Sequence, residues 1–289
     1  MGELPKTAAS LRAHVEAILR DREIAEAAME ARLLLENFAG LSRLSLIAYA
    51  DAEVGEEKLA ALELALKRRL AGEPVHRIIG HRQFYGLDLA LSKETLEPRP
   101  DTEILVDRVL AYLEKLVESQ KPCTVLDIGT GTGAICLAIL SQFPVASGVG
   151  VDISQDALAT AARNSRLLGL EKRFTALHSD CFEMVEGRFD AIVSNPPYIP
   201  SADIEGLQPE VRDFDPLQAL DGGIDGLVFY RKIAEQSAHY LKPGGIVAVE
   251  IGFDQRDSVT AIFTEHGWEC LEAAQDLSGH ERVLIFMQS

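Results

Sequence analysis

The chain has 289 residues, enough for one large domain or for a medium domain with a small companion. Its composition, 47% hydrophobic and 25% charged, is ordinary for a globular protein, and no stretch approaches the roughly 18 apolar residues that a membrane span needs. Net charge is −17, with −14 in residues 98–289 and −3 in residues 1–97, which argues against gripping a phosphate backbone. The opening MGELPKTAASLRAH has no apolar leader core, and Lys6 stands where an acylation signal beginning Met-Gly needs Ser or Thr. A cytoplasmic chain with no membrane partner is the expectation.

Residues 7–71 read as helices only. Leu11, Val15, Ile18 and Leu19 form one apolar stripe, and Ala27, Ala28, Ala31, Leu34, Leu35 and Phe38 form another over 24–38, closed by Gly40. EEKLAALELALKRRL is a third helix, stopped by Gly72 and Pro74. A small helical bundle over 1–73 follows. From Pro74 the texture changes to short apolar runs punctuated by Gly80, Gly86, Pro98 and Pro100, which suggests a β-hairpin linker over 74–97.

Residues 98–289 alternate helix and strand. TEILVDRVLAYLEKLVESQ is helical, CTVLDIG a strand, GAICLAILSQF a helix, SGVGVD a strand and SQDALATAARNSRLLG a helix. RFTALHSD, FDAIVSN and IVAVEIG are further strands. Such alternation predicts a parallel sheet covered on both faces. WECLEAAQD and RVLIFMQ are separated only by LSGHE, too short for a parallel crossover, so they pair antiparallel. The four cysteines are scattered and the histidines show no ligand spacing, so neither a disulfide framework nor a metal site is expected. His76 and His81, beside Pro74 and Gly80, read as a turn.

VLDIGTGTGAICLAI passes from strand to helix through Asp127, Gly129, Gly131 and Gly133. Glycines let backbone approach a ligand closely. The spacing is GxGxG, without the lysine of a phosphate loop. Asp152 ends the next strand, where an acid can accept from both hydroxyls of a ribose. Asp127 precedes the loop, where it can order the turn or face a cationic ligand. Asp180 ends the third strand, at the expected place of an adenine amino group. Three acids at successive strand ends suit a sulfonium better than a pyrophosphate.

FDAIVSNPPYIP places Asn195, Pro196, Pro197 and Tyr198 directly after the fourth strand. A planar amide or amino nitrogen has a delocalised lone pair and two N–H groups to hold. The Asn195 side-chain oxygen can accept one, and the Pro196 carbonyl the other. The prolines stiffen the loop, and Tyr198 offers a ring face to a flat acceptor. This chemistry alone leaves adenine and glutamine both open.

On these residues the chain resembles the bacterial peptide chain release factor glutamine N5-methyltransferases of the HemK/PrmC type. The likeness runs through GEPVHRIIGHRQFYG, LEPRPDTEILVD, VLDIGTGTGAICLAIL, VDISQDALATAARN, IVSNPPYI, EVRDFDPLQALDGGIDGLVFYRKI, LKPGGIVAVEIG and GHERV. It implies an α/β fold: a class I, Rossmann-like methyltransferase domain with a seven-stranded sheet and an antiparallel C-terminal hairpin, behind a helical domain that recognises the protein substrate. It implies S-adenosyl-L-methionine as methyl donor and the glutamine of a Gly-Gly-Gln loop in release factors as acceptor. Asn195 to Tyr198 match the substrate motif, Asn195 counting also at the cofactor. Gly129, Thr130, Gly131, Thr132 and Gly133, with Asp152 and its neighbour Ile153, match the cofactor contacts. Cys181, after Asp180, falls beside adenine and can offer its backbone N–H. Pro100, Thr102 and Glu103 lie in a PRPDTE motif that lines the cofactor pocket in relatives; Glu97 is given no role.

Two rivals differ in acceptor. A DNA adenine-N6 methyltransferase would use the same motif but must bind DNA and flip a base, which a −14 domain without a basic cluster suits poorly. A glutamine methyltransferase of a ribosomal protein would share every motif. A third reading keeps the fold as a scaffold for binding, against which every expected site residue stands present. A monomer that binds no DNA is expected.

Overall fold

The computed structural model describes residues 4–117 and 122–289, which form two compact units, 4–80 and 81–289. The first unit is helical: α1 (Ala8–Asp21), α2 (Ala27–Leu34), α3 (Arg43–Ala48), α4 (Glu56–Leu70) and α5 (Val75–Ile79). Leu11, Val15 and Leu19 recur on one face of α1 and meet Ala31 and Leu34 of α2 and Leu62 and Leu66 of α4 in a single core. α2 runs on through a π-turn, Leu35–Ala39, and Gly40 at φ +68 ends it, since a left-handed residue breaks the helical path. Charge enters this core once among the described residues. Arg69 of α4 holds Glu30 of α2 through Nε–Oε2 and through Nη2–Oε1 at 3.2 Å, both side chains being nearly inaccessible.

The stretch expected as one hairpin linker is divided between the units. Val75–Ile79 is helical, because Val75 and Ile78, three apart, turn into the first unit's core. Gly80, at φ +86, ends it. The strand pair is narrower than expected: β1 (His81–Phe84) and β2 (Leu87–Ala90), antiparallel, with Phe84 and Leu89 buried in the second unit's core. Glu97, given no role by sequence, is buried in an ion pair with Arg82 Nη1.

The rest of the second unit is the doubly wound sheet. In order come α6 (Thr102–Val117), β3 (Cys123–Ile128), α7 (Ala134–Gln142), β4 (Ala146–Asp152), α8 (Gln155–Leu167), β5 (Phe174–His178), β6 (Phe189–Ser194), α9 (Pro209–Arg212), α10 (Val228–Tyr240), β7 (Leu241–Glu250), α11 (Arg256–Glu265), β8 (Trp268–Gln275) and β9 (Glu281–Gln288). The helix expected over 102–120 is seen to Val117; residues 118–120 lie outside the described residues, as does the Met-Gly start. Strand order is β5-β4-β3-β6-β7-β9-β8, with β9 antiparallel to both its neighbours and the other pairs parallel. Alternate residues of each central strand face opposite ways. Val125, Ala191, Val193, Ile246 and Ala248 meet α6 and α7, whereas Leu126, Ile192, Val247 and Val249 meet α10 and α11. Burial on both faces explains why these strands read as unbroken apolar runs. The chain winds outward in opposite directions from β3 and β6. The crevice at their carboxyl ends is thus the place where such sheets bind ligands.

Candidate active site

The glycine loop after β3 and the Asn-Pro-Pro-Tyr loop after β6 face each other across this crevice. Gly129, Gly131 and Gly133 all take positive φ, at 70°, 54° and 81°, a region that L side chains avoid. A Cβ at Gly129 or Gly131 would meet nothing within 4 Å, so these two turn an open backbone face outward. A Cβ at Gly133 would press to 2.8 Å from Leu137, so this glycine serves the packing of α7. The N–H groups of Gly129 and Thr130 both donate to the Val151 carbonyl at 2.9 Å, tying the loop to β4.

Asp127 lies beneath the loop, fully buried. Its Oδ2 accepts from Thr130 Oγ1 at 2.7 Å and from Cys136 N at 3.3 Å, while Oδ1 has no partner. Burial pushes this carboxyl up to about 7. Asp127 therefore orders the turn. Thr132 braces it from the other side: its carbonyl accepts from Asn164 Nδ2 at 2.9 Å. Asp152 bridges loop and strand. Its Oδ2 accepts from Gly131 N and its Oδ1 from Ser154 N, each at 2.9 Å, and burial again raises it.

The crevice opens into a cleft of about 730 Å³, open to solvent. Of the residues expected at the cofactor, Gly129, Gly131, Asp152, Ile153, Asp180 and Cys181 line it, and Pro196 and Pro197 close its far wall. Asp127, Thr130, Thr132 and Gly133 stand behind that lining. Sequence reasoning missed Glu94, Leu96, Ser154 and Phe229, which also line it. Glu94 and Leu96 come from the segment after β2, and Phe229 from the start of α10. No local signal marks such long-range convergence. Asp180 is held by Lys232, whose Nζ lies 3.2 Å from both carboxylate oxygens. Cys181 takes φ +49, and burial pushes its thiol up to about 12, so it is no nucleophile near neutral pH.

Three further residues expected at the cofactor lie beside the cleft lining. Pro100, Thr102 and Glu103 are not among the lining residues. Pro100 is exposed. Thr102 is buried and its Oγ1 accepts from Asn195 Nδ2 at 3.3 Å, while Glu103 Oε1 accepts from the Tyr85 N–H at 2.7 Å and so anchors the hairpin.

Asn195, half-buried, stands between Ser194 and Pro196, which both line the cleft, and Tyr198 follows Pro197. The loop's backbone is clamped. Ile199 N donates to the Leu220 carbonyl at 3.1 Å and Gly222 N to the Ile199 carbonyl at 2.8 Å. A Cβ at Gly222 would lie 2.8 Å from the Pro197 oxygen, and one at Gly226 would collide with the Tyr198 oxygen, so the DGGIDG segment needs glycine there to approach. Tyr198 packs its ring on the core beside α10, and burial raises its phenol.

The donors of the cleft test whether a sulfonium nucleoside fits. Its walls carry Glu94, Asp152 and Asp180, and no Lys or Arg is among the lining residues. Leu96, Ile153 and Phe229 supply apolar faces for a flat base. Such a cleft suits a cation with a ribose and disfavours a pyrophosphate.

The chemistry of this cleft, on a sheet that ends in an antiparallel hairpin, makes the protein a methyltransferase of the Rossmann-like class I. Residues 105–206 match the model of the methyltransferase small domain, and residues 10–80 that of the PrmC N-terminal domain. The release factor glutamine methyltransferase of Agrobacterium fabrum is 51% identical over 263 residues, covering 91% of each chain. That of Rhodospirillum rubrum is 48% identical, covering 89% of this chain and 77% of the relative. A crystal structure of a methyltransferase from Pyrococcus furiosus shares the fold at 20% identity and a TM-score of 0.50, covering 76% of this chain and 95% of that one. The chain belongs to the release factor glutamine methyltransferase family. Among the described residues, no helix is long and apolar enough to cross a membrane.

Proposed function

We propose that this enzyme methylates the side-chain amide nitrogen of the glutamine in the Gly-Gly-Gln loop of peptide chain release factors, with S-adenosyl-L-methionine as donor. The observation that carries the reading is Asn195 on its rigid proline loop, opposite an acid-walled glycine cleft at the sheet's switch point. When bound, the donor supplies an electrophilic methyl on a positively charged sulfur. Gly129, Gly131, Asp152 and Ile153 hold it, with Asp152 at the ribose. Asp180, Cys181 and Phe229 surround the base. Asp127, Thr130, Thr132 and Gly133 keep the loop in shape.

Asn195 Oδ1 and the Pro196 carbonyl accept the two N–H groups of the acceptor amide. This fixes the amide plane and favours the positive charge that develops on the nitrogen as its electron pair attacks the methyl. Transfer would form the N–C bond as the S–C bond of a bound donor breaks, and the surplus proton would leave the nitrogen to solvent. Tyr198 stiffens the loop and borders the acceptor. Pro100, Thr102 and Glu103 act as scaffold for both loops.

The helical unit recognises the release factor. Leu44 and Ile47 of α3 are each 74% exposed, three residues apart, and Tyr49 follows at 67%. Exposed apolar clusters of this kind mark protein contacts. A single chain carries every proposed site residue, which supports a monomer, and a release factor as acceptor supports the cytoplasm. The net charge of −14 over residues 98–289 speaks against DNA as acceptor. The test is Asn195→Ala. Methyl transfer should fall by at least about 100-fold, the scale of one transition-state hydrogen-bonding group, with donor affinity nearly unchanged. Parallel loss of donor binding would contradict the assigned role.

A further inference from the structure

Asn195 can accept an N–H only if its oxygen, and not its NH2, faces the acceptor. A terminal amide is nearly symmetric in shape, so something behind it must choose the orientation. Behind Asn195 lie Thr102, opening α6, and Glu250, the last residue of β7. Asn195 Nδ2 donates to Thr102 Oγ1 at 3.3 Å. The Glu250 carboxyl, 2% exposed, lies near enough to both side chains that Thr102 and Asn195 each favour its ionised form. Its Oε2 is buried without a partner. An acid this buried and incompletely satisfied costs stability, and folded chains keep such groups where they serve a site.

We infer that Glu250, with Thr102, is a positioning pair that sets the orientation of the Asn195 amide for the methyl-transfer step. This rests on the reading of Asn195 as the acceptor-holding residue. An ionised carboxylate can only accept, so it takes an N–H from the NH2 end of Asn195. Thr102 donates its hydroxyl proton to Glu250, which leaves the oxygen of Thr102 free to accept the other N–H. Both amide protons of Asn195 are then engaged and Oδ1 turns to the cleft side. A protonated Glu250 reverses this logic, because its O–H can donate to Oδ1 and draw that oxygen inward.

The orientation is therefore tied to the charge on Glu250. Burial raises this carboxyl to about 7, against lowering by Thr102, Arg282 and Asn195. Every packed element contributes a group. Arg282 comes from β9 and Asp101 from the approach to α6. Tyr198 comes from the loop after β6, and Tyr230 from α10, its OH donating to the Glu250 backbone carbonyl at 2.9 Å.

Two measurements test the inference. The first needs no acceptor: the Asn195 side-chain N–H resonances, followed by NMR in the full chain, should titrate with a midpoint near 7, and the titration should vanish in Glu250→Gln. Resonances that do not move, or that move equally in Glu250→Gln, overturn it, whatever the acceptor proves to be. The second is the pH profile of kcat for release factor at saturating donor. The wild type should lose activity as pH falls below about 7. Glu250→Gln should run about 10- to 100-fold slower with the acid limb gone, while the donor Kd stays near wild type. Thr102→Val should be similarly slow and Thr102→Ser should recover most of the rate. An acid limb that persists in Glu250→Gln, or a Thr102→Ser variant as slow as Thr102→Val, contradicts the positioning role.

Discussion

Gln255 Nε2 donates to the Tyr198 backbone carbonyl at 2.9 Å, linking the start of α11 to the loop that carries the acceptor motif. The same side chain takes the Gly252 N–H on Oε1 at 3.0 Å and is almost wholly buried. It thus fixes the far end of Asn195–Tyr198 to the end of β7. Gln255→Ala removes the clamp and leaves a buried carbonyl without its donor, a loss of about 1–3 kcal/mol. A shift of the loop of the order of 1 Å should lower kcat about 10- to 100-fold. Steady-state kinetics with release factor should show this drop with donor KM nearly constant.

Asp152 carries the donor's ribose in this account. Asp152→Ala removes hydrogen bonds to a charged group, about 1.5–3 kcal/mol, and also frees the Gly131 N–H. Titration calorimetry should show the Kd for S-adenosyl-L-methionine rising about 10- to 100-fold. An unchanged Kd would remove Asp152 from the donor site.

Asp127 makes stability depend on pH. Its carboxyl lies at about 7 in the folded chain, raised by burial above its ordinary value of 3.8. A raised acid adds stability at low pH that is lost as pH climbs through the folded value. Asp127→Asn keeps an acceptor toward Thr130 and the Cys136 N–H without the charge. At pH 8 the variant should be more stable than wild type by on the order of 2 kcal/mol and so unfold at a higher temperature. That margin should shrink as pH falls from about 7 toward 4. Thermal unfolding at pH 8, 6 and 5 checks the sign.

Much of the site was legible because its parts sit at strand ends. Asp152, Asp180 and the Asn195 loop each follow an apolar run, and a parallel sheet brings such ends to one edge. Glu250 and Gln255 were not legible as site residues. They matter only because β7 lies beside β6, a neighbour relation set by the whole sheet and not by local spacing. Glu30 and Arg69 show the same limit in the helical unit: each looks like a solvated charge until α2 and α4 meet. The PRPDTE motif has contacts that spacing could not show. Resemblance put Thr102 and Glu103 at the cofactor; in the fold Thr102 meets Asn195 and Glu103 meets the Tyr85 N–H. The linker was misjudged because Val75 and Ile78 answer to the helical core across a segment whose glycines and prolines suggested strands.

The apolar cluster on α3 gives a test confined to the helical unit. Leu44→Ser combined with Ile47→Ser should raise KM for release factor about 5- to 10-fold, the effect of losing about 1 kcal/mol of contact, and leave donor Kd unchanged. Unaltered KM would place the release factor contact elsewhere.

The identity of the acceptor is the central claim, and competition for a labelled methyl group tests it most directly. The enzyme is incubated with radiolabelled S-adenosyl-L-methionine and equal amounts of release factor, total ribosomal protein and double-stranded DNA, and the labelled peptide is sequenced by mass spectrometry. Label on the glutamine of the release factor's Gly-Gly-Gln loop is the expected result. Label confined to ribosomal protein or to adenine in DNA would contradict the account.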